Sequence, residues 1–199
     1  MLFFEILIGV FLLGAFVHFW FTKRKNEHDL SLLVTHLKTS EEFKKTLAMG
    51  LYLRFRQEKE FYKPLIESSE IFIKENPIQF ESFVASIIES SRGGNTWVFP
   101  ASGDFGVDFE HNLENKKFLG QVKCKQDNLS FDPIAILHSN IVKQNADGGY
   151  VITTSSFTKQ AKEYAKNLNI ELIDGIKLVE LWLEGLEIQD KELKLLLVE

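Results

Sequence analysis

Cysteine is almost missing from this sequence, and its scarcity excludes several classes of protein. Cys124 is the only cysteine in 199 residues, so the chain forms neither an internal disulfide framework nor a cysteine-based zinc finger. We expect Cys124 on the core side of a strand. His111 and His138 have no second histidine or cysteine at metal-ligand spacing, and we expect both at the surface. No glycine-rich phosphate loop carrying a lysine is present, so ATP hydrolysis is not expected.

The C-terminal part of the chain also lacks the excess of basic residues that is typical of proteins binding DNA through bulk charge. Residues 77–199 contain 12 Lys and Arg against 18 Asp and Glu, in a chain of net charge −5. Because neutralising phosphates supplies much of the affinity for DNA, this part alone is expected to bind DNA weakly or to need a partner.

What the sequence does contain is a long apolar run at its N-terminus. Residues 2–22 carry one charge, at Glu5, and a helix of this length covers roughly 30 Å, the thickness of a bilayer core. Lys23-Arg24-Lys25 follow the run, and no Lys or Arg precedes it. The positive-inside rule predicts a single-pass anchor in the inner (cytoplasmic) membrane, with the N-terminus outside and the remaining chain in the cytoplasm.

Two other interpretations of this run are less favoured. A cleaved signal peptide would have a basic segment ahead of a shorter apolar core, and neither feature is present. A buried hydrophobic helix would need a small domain to cover it on all sides. Gly9 and Gly14 are too far apart for the close-packing motif of membrane helices, so the oligomeric state is open.

Length and pattern divide the chain into four parts. We predict a transmembrane anchor over residues 1–25, a helical juxtamembrane stalk over 26–76, one compact domain over 77–185 and a C-terminal tail over 186–199. The stalk is expected to be helical, because residues 39–42 have the form of a capping box and apolar residues then recur at helical spacing. It serves either as a stalk or as a packing platform for the compact domain.

Within residues 77–185, strands alternate with helices. The expected helices are a stripe from Phe80 to Ile88, a helix opened by Asp132-Pro133, one from Phe157 to Asn167 and one from Ile176 to Leu183. The expected strands are Thr96 to Pro100, a hairpin turning at residues 110–117, Tyr150 to Thr153 and Ile170 to Ile173. This alternation predicts an α/β fold, with a mixed central sheet covered by helices on both faces.

One group of residues in this domain forms a candidate catalytic site. Asp108 precedes the polar turn at residues 110–117, and Gln121-Val122-Lys123 follow it. Because side chains alternate along a strand, Gln121 and Lys123 project from one face and Val122 from the other. A hairpin would place Asp108 opposite the Gln121 and Lys123 pair.

The chemistry follows from the residue types. A carboxylate and an amide oxygen are hard ligands that suit Mg²⁺, or Mn²⁺ in its place, and Mg²⁺ usually keeps several waters and binds substrate phosphates. Lys123 can orient a metal-bound water or stabilise charge on a phosphate. Taken alone, the pattern is also compatible with a solvated hairpin face or a weak cross-strand ion pair.

Five ordered blocks add weight to the catalytic interpretation, and together they resemble the Mrr-type restriction endonuclease catalytic domain of the PD-(D/E)xK nuclease superfamily. The resemblance runs from about Pro77 to Leu183. The blocks are Phe80-Glu81-Ser82-Phe83-Val84, Ser102-Gly103-Asp104-Phe105-Gly106-Val107-Asp108, Gly120-Gln121-Val122-Lys123-Cys124-Lys125, Tyr150-Val151-Ile152-Thr153-Thr154 and Ile173-Asp174-Gly175.

The resemblance implies a role for each matching position. Asp108 and Gln121 would hold Mg²⁺, Lys123 would be the catalytic lysine, and Glu81 would be the helical glutamate. Two departures bear on this assignment. Phe105 stands where the family often has a glycine, and Lys123-Cys124-Lys125 offers a second register in which Lys125 takes the catalytic slot. We favour Lys123 because that register keeps the amide ligand.

The expected function is therefore that of a membrane-anchored, Mg²⁺-dependent endonuclease that hydrolyses DNA, in restriction or in defence against foreign DNA. The rival is a non-catalytic, membrane-tethered module of the same fold that binds DNA or a protein partner. An RNA nuclease is a third hypothesis, and association into a homo-oligomer is left open.

Overall fold

The computed structural model describes residues 2–56, 77–100 and 105–196. The chain divides into two compact units, Met1–Ser40 and Glu41–Glu199. The predicted stalk falls partly outside the described residues, at 57–76, and so does the start of the loop before Asp108, at 101–104.

A single helix, α1 (Leu2–Thr39), forms the first unit. The side chains from Phe11 to Lys25 are exposed along it. Within the described residues, no helix combines the length and the apolar character needed to cross a membrane. The side chains of residues 5–10 lie outside the described set, and the anchor predicted over residues 2–22 stays a prediction.

The second unit contains five helices and five strands among its described residues. The helices are α2 (Glu41–Phe55), α3 (Pro77–Arg92), α4 (Asp132–Gln144), α5 (Lys159–Tyr164) and α6 (Gly175–Leu196). The strands are β1 (Asn95–Val98), β2 (Phe109–Leu113), β3 (Lys116–Lys123), β4 (Gly148–Thr153) and β5 (Ile170–Ile173).

The strands form one mixed sheet in the order β1-β2-β3-β4-β5. The first three strands are antiparallel, and β3, β4 and β5 are parallel. Glu114 adopts a left-handed conformation, with φ of 54°, in the tight turn between β2 and β3. The α4 and α5 segments connect the parallel strands. These findings confirm the predicted α/β fold and its mixed sheet.

Helices cover both faces of the sheet, as predicted. On one face Val122 and Ile152 pack in a core with α2, α3 and α6. On the other face Leu119 and Val151 pack against α4 and α5. All six residues of β4 are buried, because this strand is central and covered on both sides.

Helix α2, which lies within the predicted stalk of residues 26–76, packs onto the compact domain. Ala48, Leu51 and Phe55 are buried in the same core as the sheet, and the Lys44 ammonium lies 2.6 Å from the Glu180 carboxylate of α6. The apolar stripe that predicted a helix is therefore used to pack it onto the domain. Of the two roles expected for this segment, α2 takes that of the packing platform.

Helix α6 also extends beyond the predicted domain boundary at residue 185. It continues to Leu196, through most of the predicted tail. The amide of Gln189 donates a hydrogen bond to Oγ of Ser90 at 3.0 Å, and the Lys194 ammonium pairs with Asp190 one turn away. These contacts tie the helix to α3 and support its last turns.

Candidate active site

Asp108 lies at the start of β2, held against β3. Its backbone N–H donates to the carbonyl of Gly120 at 2.8 Å. The residue is buried, and Oδ2 accepts a hydrogen bond from the backbone N–H of Val122 at 2.5 Å. Because both partners are backbone groups of β3, the strand pairing itself fixes this carboxylate.

Lys123 is the last residue of β3, and its ammonium lies 3.6 Å from Oδ2 of Asp108. The lysine side chain is 32% exposed, whereas that of Asp108 is 5% exposed. The pair therefore has a buried anion and a cation that reaches solvent. The structure brings these two predicted site residues into contact across the hairpin.

Gln121 lies directly opposite Asp108, because Asp108 bonds to the residues on either side of it. The Gln121 side chain is 3% exposed. Its Oε1 is buried and has no hydrogen-bond partner among the described residues. Leaving such an acceptor unsatisfied costs about 1 to 3 kcal/mol, so buried amides are almost always bonded. Gln121 thus has an oxygen that none of the described residues satisfies and that a metal ion could take as a ligand.

The residues present are compatible with a divalent cation at this position. Asp108 offers a carboxylate and Gln121 an amide oxygen, the ligand types that Mg²⁺ prefers. In the described ranges, no group of three or more His, Cys, Asp or Glu side chains is placed to hold a metal. A site built on Asp108 and Gln121 would therefore leave most coordination positions to water and phosphate oxygens.

The predicted helical glutamate, Glu81, lies on α3 and lines the same cleft as Lys123. This cleft has a volume of about 360 Å³. Val122 of β3 and Cys124, which directly follows β3, also line it, together with Phe55 at the end of α2 and the next residue, Arg56. Glu81 is partly buried there. Glu81 and Lys123 thus share one cleft, and Asp108 adjoins it through its contact with Lys123.

A tight loop at Phe105 and Gly106 lies next to the Gln121 side chain. Gly106 has φ of +85°, and a Cβ at this position would lie 2.7 Å from Cγ2 of Ile136 and 3.1 Å from Nε2 of Gln121. The amide of Asn140 donates to the carbonyl of Phe105 at 3.0 Å and fixes the loop to α4. Phe105 itself is 74% exposed. The aromatic residue that replaces the expected glycine therefore faces solvent.

Lys125 occupies a different place from Lys123. It lies beyond the end of β3, where its backbone N–H and C=O both bond to the Thr154 hydroxyl, at 3.0 and 2.8 Å. Its side chain is exposed and lines a separate cavity. The contact with Asp108 favours the register in which Lys123 is the catalytic lysine.

The prediction for His111 was wrong. The ring is fully buried, with Nε2 2.8 Å from the carbonyl of Gly93 and Nδ1 3.2 Å from the hydroxyl of Tyr150. The spacing of histidines in a sequence can indicate a metal site, but it does not indicate whether a histidine is buried in the core. Cys124 lies half-buried against the core of α2, α3 and α6, as expected, and burial raises the pKa of its thiol.

Sequence reasoning also missed contributors to the site. Asn140 is buried and bonds to the loop at Phe105. Phe55 and Arg56 reach the cleft because α2 packs on the domain. Only the tertiary packing of α2 reveals this, since Arg56 is distant in sequence from every block of the site.

The mixed sheet, with a buried aspartate facing a Gln-x-Lys strand end, defines this protein as one of the restriction-endonuclease-like class. Residues 73–182, more than half of the chain, match the Mrr catalytic-domain family, a restriction endonuclease family. The chain belongs to that family.

The individual relatives share low sequence identity with this chain. The type IV methyl-directed restriction enzyme EcoKMrr of Escherichia coli (strain K12) is 29% identical over 127 residues, which are 60% of this chain and 42% of that protein. This chain therefore spans less than half the length of that relative.

Two solved structures are similar to this chain. The DNA modification-dependent restriction endonuclease AspBHI has a TM-score of 0.51 at 15% identity, over 74% of this chain and 38% of that one. At that identity it shows a shared fold. MspJI restriction endonuclease in complex with a 27-mer oligonucleotide has a TM-score of 0.46 at 22% identity, over 56% and 28% of the two chains.

Proposed function

We propose that this protein is a metal-dependent endonuclease that hydrolyses phosphodiester bonds of DNA, in restriction or in defence against foreign DNA. The observation that carries the proposal is the placement of the Lys123 ammonium 3.6 Å from the buried Asp108 carboxylate. The neighbouring Gln121 contributes a buried amide oxygen that has no partner in the part of the chain that the structure describes. Membership of the restriction endonuclease family supports the same reaction.

Each side chain has a distinct part in the proposed reaction. Asp108 and Gln121 would hold Mg²⁺ or Mn²⁺, which when bound lowers the pKa of water and neutralises charge on a phosphate. The Lys123 ammonium donates a hydrogen bond to a phosphate oxygen and stabilises the charge that builds there in the transition state. Glu81, which lines the same cleft, accepts a hydrogen bond from the attacking water and orients it.

The direct test is nicking of supercoiled plasmid by the full-length protein with Mg²⁺, with Mn²⁺ and with EDTA. We expect nicking with either metal, none with EDTA, and none by Asp108→Ala or Lys123→Ala. Equal nicking by all three proteins would reject this site. No nicking of methylated or unmethylated plasmid under any condition would favour the non-catalytic binding module. Structured RNA assayed in parallel would reveal a ribonuclease.

The proposal has a second component, attachment to the inner membrane through residues 2–22. It rests on the apolar sequence of this run and on Lys23-Arg24-Lys25 after it, which would leave the N-terminus outside and the nuclease unit in the cytoplasm. Membrane fractionation tests it. Full-length protein should stay in the membrane fraction after alkaline carbonate extraction, and a variant lacking residues 2–22 should not. Release of both by carbonate would reject the anchor and leave the nuclease assignment unaffected.

A further inference from the structure

Helix α2 lies outside the part of the chain that matches the restriction endonuclease family, yet it forms part of the catalytic cleft. The family match begins at residue 73, and α2 ends at Phe55. Phe55 and the next residue, Arg56, line the cleft together with Lys123 and Glu81. Part of the cleft lining is therefore supplied by a segment that the family match does not include.

The same helix also covers a second cavity, of about 330 Å³. Lys45 and Tyr52 of α2 line one side, and Lys125 and Ser155 line the other. This cavity lies where the parallel strands β3, β4 and β5 end. In open α/β sheets, ligands bind preferentially outside the carboxyl ends of the strands.

The two cavities are neighbours. Cys124 lines the catalytic cleft and Tyr52 lines the second cavity, and the Cys124 thiol lies 3.8 Å from the carbonyl of Tyr52. Lys123 and Lys125 stand on either side of Cys124 in the sequence, and each lines one of the two cavities. A DNA strand that runs from the catalytic cleft along this edge would place its next phosphates at the second cavity.

Charge distinguishes this edge from the rest of the domain. Residues 77–199 carry an excess of acids, 18 against 12 basic residues, whereas residues 41–56 carry four basic residues and two acids. Lys45 is exposed and has only a loose pair with Glu41, at 3.8 Å. Among the described residues that line the second cavity, Asp174 is the one carboxylate, and it accepts a hydrogen bond from the backbone N–H of Lys177 near the start of α6. The local charge therefore favours an anionic ligand.

We infer that α2 and Lys125 form a binding surface for the sugar-phosphate backbone of the DNA strand on one side of the phosphate that is cut. Lys45 and Lys125 contact phosphates, and the second cavity takes the nucleotide between them, against Tyr52. This inference rests on the proposed function and extends it, because it assigns DNA affinity to residues that perform no chemistry. It also explains how a nuclease domain with excess acid holds a polyanion.

The test compares two double variants of the full-length protein that remove equal charge. Lys45→Gln/Lys125→Gln alters the proposed surface. Lys191→Gln/Lys194→Gln alters exposed lysines of α6 that lie roughly 24 Å and roughly 28 Å from Gly175, the first residue of that helix, along its axis. Affinity for a labelled DNA duplex is measured by fluorescence anisotropy in EDTA, at several salt concentrations. Single-turnover cleavage is then measured with Mg²⁺ at saturating DNA.

For Lys45→Gln/Lys125→Gln we expect about a tenfold rise in Kd and a fall of about two in the slope of log affinity against log salt, since each lost phosphate contact lowers the slope by about one. The single-turnover rate should stay within about twofold of the unaltered protein, and the control should change neither quantity. Unchanged affinity and slope would overturn this inference alone, and so would equal losses in both variants. Absence of DNA binding by the unaltered protein would overturn the proposed function as well.

Discussion

The Lys123 ammonium lies 3.6 Å from the Asp108 carboxylate, joining the residue that precedes β2 to the last residue of β3. The anion is buried and the cation is one-third exposed, so the pair is asymmetric. Lys123 can turn toward a phosphate in the cleft, whereas Asp108 is held by the backbone of Val122. The contact therefore balances the charge of Asp108 and leaves Lys123 able to reach substrate.

The first prediction concerns the charge of Asp108. Asp108→Asn keeps the shape of the side chain and an acceptor for the Val122 N–H, but it removes the anionic metal ligand. We expect plasmid cleavage to fall at least about 100-fold, because charge stabilisation in the transition state is lost. Asp147→Asn is the matched control, since Oδ2 of Asp147 also accepts a strand N–H, that of Lys117, at the other end of the sheet. Cleavage by Asp108→Asn equal to that of the control would contradict the assignment.

The second prediction separates Lys123 from Lys125. Lys123→Met removes the ammonium beside Asp108 and should lower the single-turnover rate at saturating DNA by about 100-fold or more. Lys125→Met should leave that rate nearly unchanged, because the Lys125 side chain is exposed and lines the neighbouring cavity. Rapid-quench kinetics measures both. The reverse order of rates would show that the alternative register is the correct one.

The third prediction concerns Oε1 of Gln121, which has no hydrogen-bond partner among the described residues. Gln121→Glu places a second carboxylate opposite Asp108 in a buried position, and like charges there repel each other. In EDTA we expect the free energy of unfolding to fall by about 2 to 4 kcal/mol. Mg²⁺ at 100 times its Kd should restore about 2.7 kcal/mol, since it binds only the folded protein.

Thermal unfolding with and without Mg²⁺ measures this effect without any assay of cleavage. Gln144→Glu, at an exposed position at the end of α4, is the control, and in either buffer it should match the unaltered protein, whose proposed metal site it keeps. If Mg²⁺ stabilised neither Gln121→Glu nor these two proteins, Asp108 and Gln121 would not form a metal site.

The fourth prediction concerns the loop beneath Gln121. Gly106→Ala introduces a Cβ at φ of +85°, 2.7 Å from Ile136 and 3.1 Å from the Gln121 amide. The backbone strain alone costs about 1 to 2 kcal/mol, and the clash should also displace Gln121. We expect lower stability in urea and a raised Mg²⁺ requirement for cleavage. Gly50→Ala, in α2 with nothing within 4 Å of the new Cβ, should show neither loss. An unchanged Mg²⁺ requirement in Gly106→Ala would show that the loop does not position Gln121.

The sequence was sufficient to predict the mixed sheet and the meeting of Asp108 with Lys123, because both follow from local rules. Alternation along a strand sets the faces of Gln121, Val122 and Lys123, and a short hairpin sets the opposition of Asp108. A short stretch of sequence is enough to predict both the faces of these side chains and the opposition of Asp108.

Features that depend on packing between distant segments could not be predicted in the same way. The stripe Leu47, Leu51 and Phe55 predicted a helix but not its partner, which proved to be α6 and α3. His111 looks polar in sequence and becomes a core residue because Gly93 and Tyr150 satisfy both ring nitrogens. In each case the deciding contact comes from residues far away in the chain.

The last prediction tests how α2 is held to the domain. The Lys44 ammonium is 10% exposed and pairs with Glu180 at 2.6 Å. The hydrogen bond from Lys44, with a smaller contribution from Lys177, holds the pKa of Glu180 below its usual range against the opposing effect of burial. A lowered acid pKa adds stability that is present above the unfolded-state pKa and is lost as pH falls through the folded-state pKa. Glu180→Gln should therefore cost about 1 kcal/mol at pH 7, after allowing for solvent screening of a carboxylate that is one-third exposed.

The pH dependence distinguishes this ion pair from ordinary packing. We expect the stability difference between the unaltered protein and Glu180→Gln to vanish between about pH 5 and pH 3, where the carboxylate is protonated. Urea unfolding followed by tryptophan fluorescence measures it, since Trp182 of α6 packs on Phe83 of α3. Glu163→Gln, which breaks the exposed pair with Lys166, should cost little at any pH. A cost for Glu180→Gln that stayed constant across this range would mean that α2 is held by its apolar contacts alone, and that the Lys44 pair does not help to fix the wall of the cleft.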